Sequence, residues 1–414
     1  MTSKIRKTII QTRTPDSYRS VAIETKSTTA GRSSLRLQLS VFALVSAAFT
    51  NIYITQPVLP VLQTEFGTDM VTASFSVSAV ILGIALLNLP FGFLADRLPM
   101  RPIILTGGLA VATGGIICAV THQFWLLIAA RFIQGCFIPA LTTCLAAYLA
   151  KTLPAARLNV VMGSYVSATV LGGLGSRLLG GLIHPPLHWR YAFVSAAALT
   201  LFAVWGALRG LPDIDRGPSS EESRQRLSYW SLLKRWELLR IYLCAAGAFA
   251  VFSSLFNYLP FRLAAPPFGL STEATTLLYL VYIMGIFMGP IAGQMSNRFG
   301  GGTTLVGGAV IFGASIVIVR GDTIAAVIFG LIGICTGFFA VHAAAVGALN
   351  QKLTEGQGQA NALYVLFYYV GGWIGIGGIG LTYKHGGWDA VVYTCLAVLL
   401  IPLMAGILER RSKS

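Results

Sequence analysis

Acidic side chains are scarce in this sequence: 15 of its 414 residues are Asp or Glu, against 30 Lys and Arg. Charged residues of both signs make up only 11% of the chain and hydrophobic ones 55%, where soluble domains average roughly 25% and about 45 to 50%. That balance excludes an ordinary cytosolic enzyme. Also missing is any phosphate-cradling G-x-x-x-x-G-K-[ST] loop, which an ATP-driven pump requires. The five histidines, His122, His184, His188, His342 and His385, form no H-E-x-x-H or similar cluster. The six cysteines, Cys118, Cys136, Cys144, Cys244, Cys335 and Cys395, stand singly in apolar segments without metal-ligand spacing. No metal, no other cofactor and no enzymatic activity is therefore expected. A cleavable leader is not expected either, because the first ~36 residues are polar and basic and the first apolar run is too long for a signal core.

What the chain does have is long apolar runs. A bilayer core about 30 Å thick takes about 20 residues of helix, and twelve runs of that kind lie between residues 38 and 408. The 45 glycines suit helices that approach one another closely in a membrane. The expected fold is all-α, a polytopic membrane protein with twelve transmembrane helices in two pseudo-symmetric six-helix bundles. One long internal hydrophilic stretch, with Pro212, Pro218 and clustered arginines, divides it. The expected organisation is a basic tail over 1–37, a bundle over 38–208, a connecting loop over 209–237, a second bundle over 238–408 and a tail over 409–414.

The bases indicate an orientation. If the first tail is inside, 24 Lys and Arg fall on that side and only four, Arg190, Arg262, Arg320 and Lys384, on the other. Both termini are then expected in the cytoplasm. The basic tail reads as a topology signal facing lipid headgroups, and no nucleic-acid partner is expected. The halves also repeat each other at a spacing near 200 residues: Pro60 matches Pro260, Gly92 to Arg97 matches Gly293 to Arg298, and Trp189 matches Trp388. Two bundles in parallel register imply a pseudo-twofold axis along the membrane normal and a solute site between the halves near the midplane.

The loop from Gly92 through Asp96 and Arg97 to Arg101 resembles the G-x-L-a-D-r-x-G-r-[RK] signature of the major facilitator superfamily, with Pro99 and Met100 as departures. The resemblance covers about residues 38 to 408. Arg131, Gln134 and Gly135 are similar to its R-x-x-q-G signature, and Gly172 to Gly181 resembles an antiporter signature with Ser176 and Arg177 in place of Gly-Pro. The resemblance implies a secondary transporter, similar to bacterial inner-membrane permeases of the drug-efflux or sugar-efflux kind, with a small-molecule substrate and with protons as the coupling partner. It also implies that Gly92, Asp96, Arg97 and Arg101, with their second copy Gly293, Asn297 and Arg298, act as gate residues, the glycine through a close helix contact. Plain topology signals are the other reading of these charges. A monomer is expected.

Drug–proton antiporters of that superfamily often carry an acid nine residues before the proline of span one, and here that position is Asn51. None of the 15 acids lies in the middle of a span. The charge and proton-coupling candidates are therefore Arg131, Arg177 and His342, the last being the only histidine deep in a span and ordinarily titrating at about pH 6.5. Each of these can instead be a packing residue. Without an acid at their depth, the arginines need backbone carbonyls, water or an anionic solute. The expected cavity lining is weakly polar and aromatic: Asn51, Tyr53, Gln56, Tyr165, Asn257, Tyr282, Asn361, Tyr364 and Tyr368. It suits amphipathic organic solutes, organic anions or sugars without separating them. A membrane sensor that has lost transport is a further alternative.

Overall fold

The computed structural model describes residues 35–211 and 228–411. The expected tails over 1–34 and 412–414, and the middle of the connecting loop over 212–227, lie outside the described residues. Helix α1 (Leu35–Thr50) gives way to turns over 51–58 before α2 (Leu59–Phe66). Pro57 explains the break, because it has no N–H to offer the carbonyl of Tyr53 and its ring clashes with that carbonyl. Asp69 then caps α3 (Met70–Ala73), accepting from the N–H of Val71 at 2.9 Å and of Thr72 at 3.2 Å. The chain continues through α4 (Phe75–Arg97) and α5 (Met100–Val120) into α6 (Phe124–Leu141) and α7 (Thr143–Thr152), a single rod interrupted at Thr142. Helices α8 (Ala155–Ile183) and α9 (Arg190–Gly210) follow. Pro99 and Pro154 stand just ahead of α5 and α8, where a missing N–H leaves no helical bond unmade.

After the connecting loop come a short α10 (Tyr229–Lys234) and the continuous α11 (Trp236–Ala264). Helix α12 (Thr272–Leu278), a 3-10 turn over Tyr279–Ile283 and α13 (Met284–Phe299) form one bent span. Then come α14 (Gly301–Val319), α15 (Ile324–Gln351) and α16 (Gln357–Arg411).

Among the described residues ten helices are long and apolar enough to cross a membrane, where the sequence predicts twelve. Two features account for the difference. Helix α1 stops short at the Pro57 break. Helix α16 has 55 residues, about 82 Å at the helical rise and far more than one crossing. It turns at Gly387, whose φ of 65° lies where a side chain is disfavoured, and its two limbs are the expected spans eleven and twelve. The repeat is also less symmetric than its sequence: Pro260 sits inside an unbroken α11, because Asn257 stands where the first copy has Pro57. The expected tail over 409–414 starts inside α16. Glu409 is 1% exposed there, held by Arg240 at 2.6 Å and Lys352 at 2.9 Å.

Within the first half α4 and α5 pack on α6, and α5 on α9; within the second, α11 packs on α16 and α14 on α15 and α16. The halves meet through α16 with α3 and α4, through α8 with α12 and the 3-10 turn, and through α2 with α11. Small residues allow the closest crossings. A Cβ on Gly135 would stand 2.2 Å from the carbonyl oxygen of Val80, and one on Gly371 2.3 Å from that of Ala246. Large apolar side chains such as Trp125, Phe202 and Phe329 point outward, as a lipid-facing surface requires.

Candidate transport site

The three predicted charge-site residues, with part of the predicted lining, lie in three places rather than one. The first lies inside the first half, where the turns over 51–58 leave backbone carbonyls without helical partners. Arg131, fully buried on α6, fills that need: its Nη1 and Nη2 donate to the carbonyls of Asn51 and Ile52, each at 2.6 Å. Its Nε donates to the carbonyl of Ser76 at 2.8 Å, and Nη1 also to Gln134 Oε1 at 2.8 Å. Gln134 in turn donates to the carbonyl of Val111, and Asn51 to Thr200 Oγ1. A cation at the C-terminal end of α1 also suits the helix dipole.

The second place lies between the halves. Arg177 on α8 is 1% exposed and donates through Nε to Gln56 Oε1 at 2.7 Å and through Nη1 to the carbonyl of Gly173 at 2.6 Å. Its Nη2 donates to the Tyr282 hydroxyl of the other half at 2.7 Å. Its guanidinium carbon is 4.0 Å from the ring centres of both Tyr53 and Tyr282, and 5.5 Å from that of Tyr279. The amide nitrogen of Gln56, on a fully buried side chain, has no hydrogen-bond partner.

The third place belongs to the second half. His342 is half-buried on α15, its Nδ1 3.0 Å from the Tyr364 hydroxyl and its ring stacked on Phe338. Tyr368 lies beside it and stacks on Phe249 with ring centres 3.7 Å apart.

Other predicted residues sit elsewhere. Tyr165 is twelve residues before Arg177 on α8, about 18 Å along the helix. Asn361 pairs with Asn350 at 2.8 Å near the start of α16. Asn257 donates across the halves to Ser74 Oγ at 2.8 Å, and its own Oδ1 is unpartnered. Close by, Lys384 and Asp69 form a second cross-half pair at 3.6 Å. At the opposite end of α4, Asp96 pairs with Lys151 of the same half. Arg97 lies 3.9 Å over the Phe93 ring and Arg298 5.1 Å over that of Phe299, while Arg101 is exposed. The close helix contact expected at Gly92 is absent in this state: an added Cβ would meet Thr143 only at 3.9 Å, and at Gly293 it would meet nothing within 4 Å. Asn297 lies in the last turn of α13 and is exposed.

Sequence reasoning missed Ser74 as the partner of Asn257 and Lys151 as the partner of Asp96. Only Lys151 carried a signal, an opposite charge at the same membrane end. An open groove of 790 Å³ lies apart from all three places, between helices of the second half, lined by Arg262, Tyr383, Trp388 and Asp389 among others. Among the described residues no cluster of His, Cys, Asp or Glu is arranged to hold a metal.

Comparisons with known proteins agree with this architecture. The Major Facilitator Superfamily profile matches residues 41–376. The chain is 28% identical over 385 residues to the inner membrane transport protein YnfM of Escherichia coli, covering 91% of each chain. It is 27% identical over 391 residues to the MFS-type transporter YybF of Bacillus subtilis, covering 91% of this chain and 94% of that one. A bacterial homologue of the human lysosomal transporter Spinster, solved in an inward-facing, unoccupied conformation, superposes with a TM-score of 0.71 at 14% identity, covering 92% of this chain and 96% of the other.

Proposed function

Because the chain belongs to the Major Facilitator Superfamily and is a multi-pass membrane transport protein rather than an enzyme, we propose that it is a secondary active transporter that exports small organic compounds in exchange for protons. Two six-helix bundles, 38–208 and 238–408, rock about a site between them, and both termini lie in the cytoplasm of a bacterial inner membrane. The observation that carries this reading is the way the halves meet. Bonds and close contacts across them, Arg177 to Tyr282, Asn257 to Ser74, Lys384 to Asp69 and Gly181 against Thr276, join the Tyr282 level to the Asp69 end. The Asp96–Lys151 and Glu409 pairs at the other end each stay within one half. Contacts between the halves that gather at this level support a site whose access alternates as they part and meet.

His342 is the proton carrier in this reading. A neutral imidazole can accept at Nδ1 from the Tyr364 hydroxyl, whereas the protonated ring can only donate there, so protonation reorients the pair. The Asp96, Arg97, Arg101 cluster serves as the cytoplasmic gate, with Lys151 as its partner. The test is reconstitution of the purified protein with an internal pH dye, scanning drugs, sugars and organic acids. Solute-evoked proton movement is expected, and its loss in His342→Ala with solute binding retained. Silence across all three solute sets would sink the proton-coupled reading.

A further inference from the structure

The Arg177 site carries more information than a carrier reading needs. A guanidinium has five N–H donors, and Arg177 uses three, on Gln56 Oε1, the Gly173 carbonyl and the Tyr282 hydroxyl. All three acceptors are neutral, so among the described residues the buried charge has hydrogen bonds and ring faces but no counter-charge. The Gln56 amide nitrogen adds a buried donor with no partner. The same guanidinium thus anchors to this amide through Oε1 while its Nε2 hydrogens stay unused. One of the three acceptors, Tyr282, belongs to the other half of the molecule, as does the Tyr279 ring. When α12 and the 3-10 turn swing away from α8, Arg177 loses an acceptor and one of the two ring faces at 4.0 Å, and keeps Tyr53.

From this we infer that Arg177 and Gln56 form the recognition point for a small organic monoanion, a carboxylate whose oxygens take the place of the Tyr282 hydroxyl and whose apolar body lies against Tyr53. The donor set favours this class. A planar carboxylate accepts two parallel bonds from a guanidinium, and a single fixed cation balances a single negative charge. A neutral sugar would leave the arginine's charge uncompensated, and an organic cation would be repelled by it. The bound anion and the Tyr282 hydroxyl compete for Nη2, so anion binding favours the state in which the halves are apart at this level. The inference rests on the carrier reading above for the location of the site between moving halves.

The test is equilibrium binding to the purified full-length protein, followed by its thermal melting without any pH gradient. The probes are benzoate, salicylate and acetate, each against its neutral amide at matched ionic strength. At least one carboxylate is expected to stabilise the wild-type protein in a saturable way while its amide does not. Arg177→Gln should weaken that binding roughly tenfold or more, with Arg177→Lys recovering part of it. Tyr282→Phe, which removes only the competing hydroxyl, should tighten it, and this variant keeps the test decisive if Arg177→Gln does not fold. Stabilisation by none of the carboxylates, equal effects of acid and amide, or unchanged affinity in both Arg177→Gln and Tyr282→Phe would overturn the inference. Flux of neutral or cationic solutes without carboxylate binding overturns this substrate class and leaves the carrier reading standing. Carboxylate binding with no flux of any solute does the reverse.

Discussion

Arg131 and Arg177 carry the same group, have no acid beside them among the described residues, and are used in opposite ways. Arg131 is enclosed within one half and satisfied by three backbone carbonyls and an amide, so it works as a clamp on the turns that follow α1. Replacing it with Gln should destabilise the protein by a few kcal/mol, since each buried carbonyl left without a donor costs about 1–3 kcal/mol. Lys should restore only a minority of that loss, because one ammonium cannot reach carbonyls on both α4 and the 51–58 turns in the fork geometry. Melting of the detergent-purified variants measures both, and a wild-type melting temperature in Arg131→Gln would refute the clamp. The arginine's importance was legible in the R-x-x-q-G spacing, but its partners were not. Apart from Gln134 within that motif, they are carbonyls of the turns after α1 and of Ser76 on α4, far away in sequence, and only the tertiary fold brings them to α6.

Helices were legible where hydrophobicity alone decides them, and less so where a turn residue competes with it. The limits that hydropathy predicts for α5 (102–120), α9 (189–208) and α14 (302–319) differ from the observed ones by two residues at most. The sequence predicts a continuous first span over 38–60 because its residues are apolar on both sides of Pro57, and the proline that matches its repeat, Pro60, is the less disruptive of the two. Helix crossings follow a different rule, the absence of a side chain. Gly135 on α6 lies so close to Val80 on α4 that a methyl group would have to displace backbone. Gly135→Ala should therefore cost about 1–3 kcal/mol through overpacking. Gly163 on α8 has open space around its missing Cβ, so Gly163→Ala should leave stability unchanged or slightly raised, as a helix interior favours Ala. Parallel thermal melts of the two variants compare them, and equal losses would show that general glycine content, rather than the α4–α6 contact, sets the stability.

At the scale of the whole molecule, the closed end combines contacts that differ in their response to protons. Burial works against the charge of Asp69, but hydrogen bonds from Thr72 and Val71 and the Lys384 ammonium outweigh it and hold its pKa below the ordinary value. A depressed carboxylate pKa contributes stability above the unfolded value of about 3.9 and loses it only as pH falls through the lower folded value. Across pH 5 to 8 Asp69 stays charged, so the Lys384 pair cannot be the element that protons switch. The Asn257–Ser74 bond and the Gly181–Thr276 contact contain no group that titrates in that range either. Closure at this end should thus respond to sterics directly and to protons through groups other than these three contacts, among them His184 on the loop after α8, whose charged form Glu273 of the other half favours. A Cβ on Gly181 would stand 1.8 Å from Thr276 Oγ1 on the opposite half, so Gly181→Ala should hold the halves apart there. With spin labels on cysteines introduced at Leu187 and His385, exposed residues of the two halves, the interlabel distance distribution should lengthen in Gly181→Ala at every pH from 5 to 8. In the wild-type background the part of any shift with pH over that range that passes through His342 should disappear in His342→Ala, and the remainder in His184→Ala. A wild-type distribution in Gly181→Ala would mean that α8 and α12 can slide past the clash, and that this end closes by some contact other than the one between Gly181 and Thr276.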